Sequence, residues 1–118
     1  MDEKVFKERT KKLAVAIIKQ TDTLPNSRSA DTIARQIIRS GSSIGANYRA
    51  ACRAKSTADM INKLKIVEEE SDETLYWLEL LVETGLVSKE KVQDIYKETN
   101  EILAMTVASL KTLRNRKS

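Results

Sequence analysis

Histidine is absent from the 118 residues, and cysteine, proline and glycine are scarce, at one, one and three. Without histidine, the usual nucleophile–base pairs and histidine-containing metal sites are excluded, among them the Glu-x-x-His pairs of ferritin-like di-iron centres. A single cysteine, Cys52, excludes an internal disulfide; it reads as a small buried apolar residue and fits a reducing cytoplasm. So little proline and glycine, with one Trp, three Tyr and one Phe, points to an all-helical chain with few tight turns. No apolar run approaches the length of a membrane span. The opening MDEKVFKERTKK lacks the architecture of a signal peptide, so a cytoplasmic location is expected.

What is present is an ordinary globular balance. Hydrophobic residues make up 41% and charged residues 32%, which argues against disorder and for one domain over 1–118 with a real core. The net charge of +4 is unevenly spread. Residues 1–55 carry twelve Lys/Arg against five Asp/Glu, or +7; residues 56–118 carry nine against twelve, or −3. Such a split suggests either an anionic partner for the first half or pairing of the two halves with each other.

The periodicity predicts four helices. The first runs from about Asp2 to Thr21 with Phe6, Thr10, Leu13 and Ile17 on one face and Ala14 and Ile18 beside them, and Pro25 stops it. The second starts with Ser29 as N-cap and runs to about Ala54. Ser56-x-x-Asp59 resembles a capping box for the third, which ends before Gly85. The fourth follows Ser88 and aligns Val92, Ile95, Tyr96, Thr99, Ile102, Thr106, Leu110 and Leu113. Its last turns carry Lys111, Arg114, Arg116 and Lys117, favourably placed at the negative end of the helix dipole. Short connections make neighbouring helices antiparallel, so the expected fold is an all-α, up-down-up-down four-helix bundle.

Helix two gathers Ile33, Ile37, Gly41, Ile44, Tyr48, Ala51 and Cys52 within about 100° of arc. Gly41 and Gly45, one turn apart on its flank, cost about 1 kcal/mol each relative to alanine. Close approach of another helix would offset that cost; the alternative is a locally weakened or kinked helix. Asn47, at the other edge of the core, needs a hydrogen-bond partner. Helix three has a core face of Met60, Leu64, Val67, Leu75, Leu78 and Val82, and a second seam of Ile66, Glu70, Glu73, Trp77 and Leu80. The second seam suggests contact with another subunit anchored by Trp77, unless Trp77 only covers the edge of its own bundle. Opposite the core of helix two, Arg28, Arg35, Arg39, Arg49 and Arg53 fall within about 80°, a stripe about 37 Å long. It would grip phosphates, pair with Glu69, Glu70 and Glu73 of a neighbouring subunit, or simply be solvated. No aromatic residue interleaves it, which argues against single-strand stacking and favours subunit pairing, leaving the basic ends of helices one and four for nucleic acid.

The stretches RSGSSIGANYRAACRAKSTADMINKLKI and ETLYWLELLVETGLVS resemble the four-helix-bundle proteins of the 23S rRNA intervening-sequence protein family, closely over helices two and three and by architecture elsewhere. The resemblance implies a small bacterial bundle with relatives that form ring-like homopentamers, nucleic-acid binding among related bundles, and no enzymatic activity. It places Ser43, Ile44 and Asn47 on helix two, and Glu70, Glu73, Tyr76 and Trp77 on helix three, within the family pattern. Ala50, Glu68 and Glu69 depart from it.

One enzymatic pattern remains. Glu69-Glu70-x-x-Glu73 followed by Glu98-x-x-Glu101 resembles the acidic motifs of all-α nucleotide pyrophosphohydrolases, which hold Mg²⁺ against phosphates. The preferred reading is a non-enzymatic, cytoplasmic homo-oligomer, pentameric by resemblance. It is an interaction scaffold for RNA or DNA that uses no cofactor, no metal and no small-molecule substrate, and touches no membrane.

Overall fold

In the computed structural model, which describes residues 2–117, four helices follow one another: α1 (Glu3–Thr21), α2 (Arg28–Cys52), α3 (Thr57–Glu83) and α4 (Lys89–Lys117). Each packs on two neighbours, α1 on α2 and α4, α3 on α2 and α4, so the core lies along the centre of a square, antiparallel bundle. The all-α fold expected from periodicity is the one observed. Its envelope is 49 × 21 × 20 Å. No described helix is long and apolar enough to cross a membrane.

Local chemistry sets the ends. Asp2 caps α1 by accepting a hydrogen bond from the Val5 amide at 3.1 Å. Ser56 caps α3 through the Asp59 amide, also at 3.1 Å, while the Asp59 carboxylate accepts from the Lys55 amide at 3.3 Å. At the other end of α3, Gly85 takes φ 77°, a left-handed conformation open to glycine at little cost. Leu86 N–H then reaches the Leu81 carbonyl and Gly85 N–H the Val82 carbonyl, the two closing bonds of a Schellman motif.

The second helix starts earlier than expected. Its N-cap is Ser27, not Ser29: the Ser27 hydroxyl accepts from the Ala30 amide at 3.2 Å, and the Ser27 carbonyl accepts from the Asp31 amide. Extending the helix by these residues buries Ala30 to 1% exposure, burial that a start after Ser29 would forgo. Ser27→Ala is accordingly expected to cost about 1 kcal/mol, and Ser29→Ala less than about 0.5 kcal/mol. Urea titrations of the two variants separate the assignments, and equal losses would argue against the Ser27 cap.

The core is Phe6, Leu13 and Ile17 from α1, Ile37 and Ile44 from α2, Val67, Leu78 and Leu81 from α3, and Val92, Ile102 and Leu110 from α4. Among the described residues, six Ser and Thr are buried with it, including Thr10, Thr99 and Thr106. Thr99 and Thr106 donate to the carbonyls of Ile95 and Ile102 one turn back, which removes the cost of burying a hydroxyl. Ser40 and Thr74 place their hydroxyl oxygens 2.9 Å apart across the α2–α3 interface. On the expected core face of α3, Met60 and Val82 are only partly buried, whereas Ile61 and Leu81 are buried.

At the α1–α2 interface the glycines set the separation. A Cβ on Gly41 would stand 2.6 Å from Ile17 Cδ1, and one on Gly45 would stand 3.1 Å from Thr10 Oγ1 and 3.3 Å from Thr10 Cβ. Both positions therefore face α1 at close range, and α2 continues through them as helix.

Candidate polyanion-binding groove and the surrounding surface

The arginine stripe of α2 divides between the two sides of the helix. Arg35 forms an ion pair with Asp31 one turn away, at 3.0 Å, with both side chains largely exposed. Such a pair contributes little to stability. Arg39 leans towards α3. One guanidinium nitrogen donates to Glu70 at 2.9 Å, another donates to Glu73, and Glu73 also accepts from the Trp77 indole N–H at 2.9 Å. The counter-charge for Arg39 thus lies within its own chain, and the pairing considered across a subunit boundary is not needed for these carboxylates.

Residues singled out by the family resemblance meet around this bridge. Asn47 donates to the Ser43 carbonyl at 2.9 Å, and the Ser43 hydroxyl to the Arg39 carbonyl at 2.7 Å. Ile44 beneath them is fully buried. Of the second seam on α3, Trp77 and Leu80 pack partly against the chain's own core. Ile66 stays 37% exposed and Tyr76 53% exposed. Tyr76 meets the edge of Trp77 with ring centroids 5.2 Å apart.

The acidic residues proposed for Mg²⁺ do not converge. Glu98 and Glu101 lie at the α1–α4 side of the bundle, where Arg9 holds Glu98 with two hydrogen bonds at 2.7 and 2.9 Å and Glu101 with one at 3.3 Å. This forked contact holds the Arg9 guanidinium well above its ordinary pKa. Glu70 and Glu73 face α2 on the opposite side, across the core. No cluster of three or more metal-ligating side chains occurs among the described residues. Nucleotide pyrophosphohydrolysis therefore loses the constellation that suggested it.

Arg49 and Arg53 turn the other way, towards α1. With Lys7 and Lys11 of α1 they line a groove of about 460 Å³ whose floor is Ala14, Ser42, Gly45 and Ala46. The floor is small because the same face brings α1 and α2 close. Longer residues there would fill the groove. Four cations border it against a single carboxylate, Glu8. Lys7 forms an ion pair with Glu3 at 3.0 Å and holds that carboxyl below its ordinary pKa. Lys11, Arg49 and Arg53 form no ion pair among the described residues. The sequence carried a signal for this arrangement in the 4-7-11 spacing of Lys4, Lys7 and Lys11 on α1. Which face of α1 meets which face of α2 is needed to place that signal beside Arg49. Arg28 is exposed at the start of α2, away from the groove lining.

Comparison with known proteins agrees with this architecture. The family model described as 23S rRNA-intervening sequence protein matches residues 2–108. A crystal structure from Bacteroides thetaiotaomicron, of a protein with unknown function from the S23 ribosomal protein family, is 40% identical, with a TM-score of 0.86 over 94% of this chain and 99% of that one. No curated protein matches.

Proposed function

The chain belongs to the 23S rRNA-intervening sequence protein family, and from that premise we propose that it is a non-enzymatic binding protein of the cytoplasm whose α1–α2 groove holds the phosphate backbone of RNA or DNA. The observation that carries this reading is the groove itself: Lys7, Lys11, Arg49 and Arg53 converge from two helices on one trough, with only Glu8 opposing them. Three of those cations form no ion pair among the described residues, so an anion entering the groove displaces water rather than a described partner. No aromatic side chain lines the trough, so base stacking has no platform there and backbone charge supplies the attraction.

The test is a salt titration of oligonucleotide affinity. Arg49→Gln with Arg53→Gln weakens binding and flattens the log–log salt dependence by about 0.7–0.9 per lost phosphate contact. Arg35→Gln, outside the groove, leaves both unchanged. No binding by the wild type, or an unaltered slope in the double variant, would overturn the reading.

A second reading concerns self-association. Exposed Tyr76 meets the edge of half-buried Trp77 in a small apolar patch on α3, with Ile66 exposed about three turns earlier on the same helix, and apolar patches of this kind serve as subunit contacts. We assign the patch to a homo-oligomer, of which the pentamer implied by family resemblance is one form. A single-chain mass by light scattering at micromolar concentration would refute it.

A further inference from the structure

At the end of the bundle where α1 begins and α4 finishes, the four helices frame a pocket of about 570 Å³, an end cavity open to solvent on one side. It opens because α4 presents Ala108, Ser109 and Thr112 beside Glu3, side chains too short to close the space. We propose that this end cavity binds a compact, neutral, largely apolar organic molecule bearing one hydrogen-bond acceptor, which the Tyr48 hydroxyl receives.

Three features carry the proposal. The volume falls within the range of small-molecule sites, which commonly lie between the helices of bundles. Apolar residues make most of the wall, and Met60 of α3 and Met105 of α4 are among them. The unbranched Met60 thioether adapts to an occupant better than a branched side chain does, while Met105 Sδ accepts from the Arg9 guanidinium at 3.4 Å and holds its side of the wall in place. Tyr48 is 6% exposed and its ring is held against Phe6 at a centroid distance of 4.5 Å, so its hydroxyl is fixed in the wall beside Cys52. Burial and the neighbouring Cys52 thiol and Glu3 carboxylate push the phenol's pKa upward, which keeps it a donor across the physiological range. At the mouth, Glu3 and Arg116 carry opposite charge, so the rim favours neither an anion nor a cation. This distinguishes the cavity from the cationic α1–α2 groove.

Methionine-methyl ¹³C spectra read the site directly. Acetophenone and ethylbenzene are matched probes, the first with a carbonyl acceptor and the second without. Both are expected to shift the Met60 and Met105 methyl signals to saturation. Tyr48→Phe weakens acetophenone about 3–10-fold, the range of one hydrogen bond, and leaves ethylbenzene unchanged. Unchanged ethylbenzene binding also shows that this variant is folded. Ala108→Trp, filling the mouth from a surface position, abolishes both responses while helicity persists. The proposal fails if neither probe saturates, if Tyr48→Phe affects both probes equally, or if Ala108→Trp still binds them.

Discussion

Leu75→Ala is expected to lower the unfolding free energy by about 2–5 kcal/mol, the cost of a cavity at a buried leucine. The neighbouring change Tyr76→Ala is expected to cost no more than about 1 kcal/mol. These two positions are consecutive on α3 but lie about 100° apart around its axis. Leu75 is 6% exposed within the bundle; Tyr76 is 53% exposed and touches the chain through the edge of Trp77. An edge-to-face pair of this kind contributes about 0.5–1.5 kcal/mol when buried, and less at this exposure. Denaturant titration therefore separates the residues by stability, and light scattering separates them by mass. Tyr76→Ala reduces the mass if the α3 patch joins subunits, with helicity intact. Trp77→Ala is a poorer probe of assembly, because Trp77 packs partly on its own core and donates to Glu73. A Leu75→Ala protein as stable as wild type would mean that the surrounding helices collapse into the vacated space.

Gly41→Leu is the second large effect, about 1–3 kcal/mol of destabilisation by overpacking. Local propensity argues the other way, since leucine is the better helix former by about 0.8 kcal/mol. Geometry decides between them. The first added carbon already meets Ile17 Cδ1 at 2.6 Å, and Ile17 itself is 1% exposed, so its δ-methyl has little room to turn aside. The rest of a leucine side chain has nowhere to go unless α1 moves. Alanine asks only for displacement of that methyl tip, and its propensity gain of about 1 kcal/mol brings Gly41→Ala near neutrality. At Gly45 the obstruction is Thr10 Oγ1 at 3.1 Å and Cβ at 3.3 Å; the hydroxyl is tied to the Lys7 carbonyl and Cβ cannot rotate away, so alanine gains less there. Thermal melts rank the variants. A leucine at 41 melting with wild type would show that α1 tolerates a wider separation from α2.

The helices were legible because burial on one face imposes a 3.6-residue period, and serine and glycine mark the ends. Two kinds of information were not. Where two candidate caps lie two residues apart, as Ser27 and Ser29 do, the choice rests on whether Ala30 is buried by the tertiary fold. The wide buried arc of α3 was harder still. This helix packs on both α2 and α4, so Ile61, Ser71, Thr74 and Leu81 join its core. Part of the second seam that suggested a neighbouring subunit is therefore packing within the chain. Projection of one helix also cannot show what stands opposite it. Arg39 and Arg49 share a stripe on α2, yet one bridges to α3 and the other borders α1.

An even number of antiparallel helices returns the chain to where it began. Glu3 and Arg116 line the same end cavity, so both ends of the described chain emerge there. The α1–α2 and α3–α4 connections sit at the far end. A tether or fused domain attached at either end therefore crowds the cavity and leaves the opposite pole clear. The same closeness makes the protein a natural subject for circular permutation. A short linker suffices to join α4 to α1, and the exposed Pro25 and Asn26, ahead of the Ser27 cap, offer a new opening far from it.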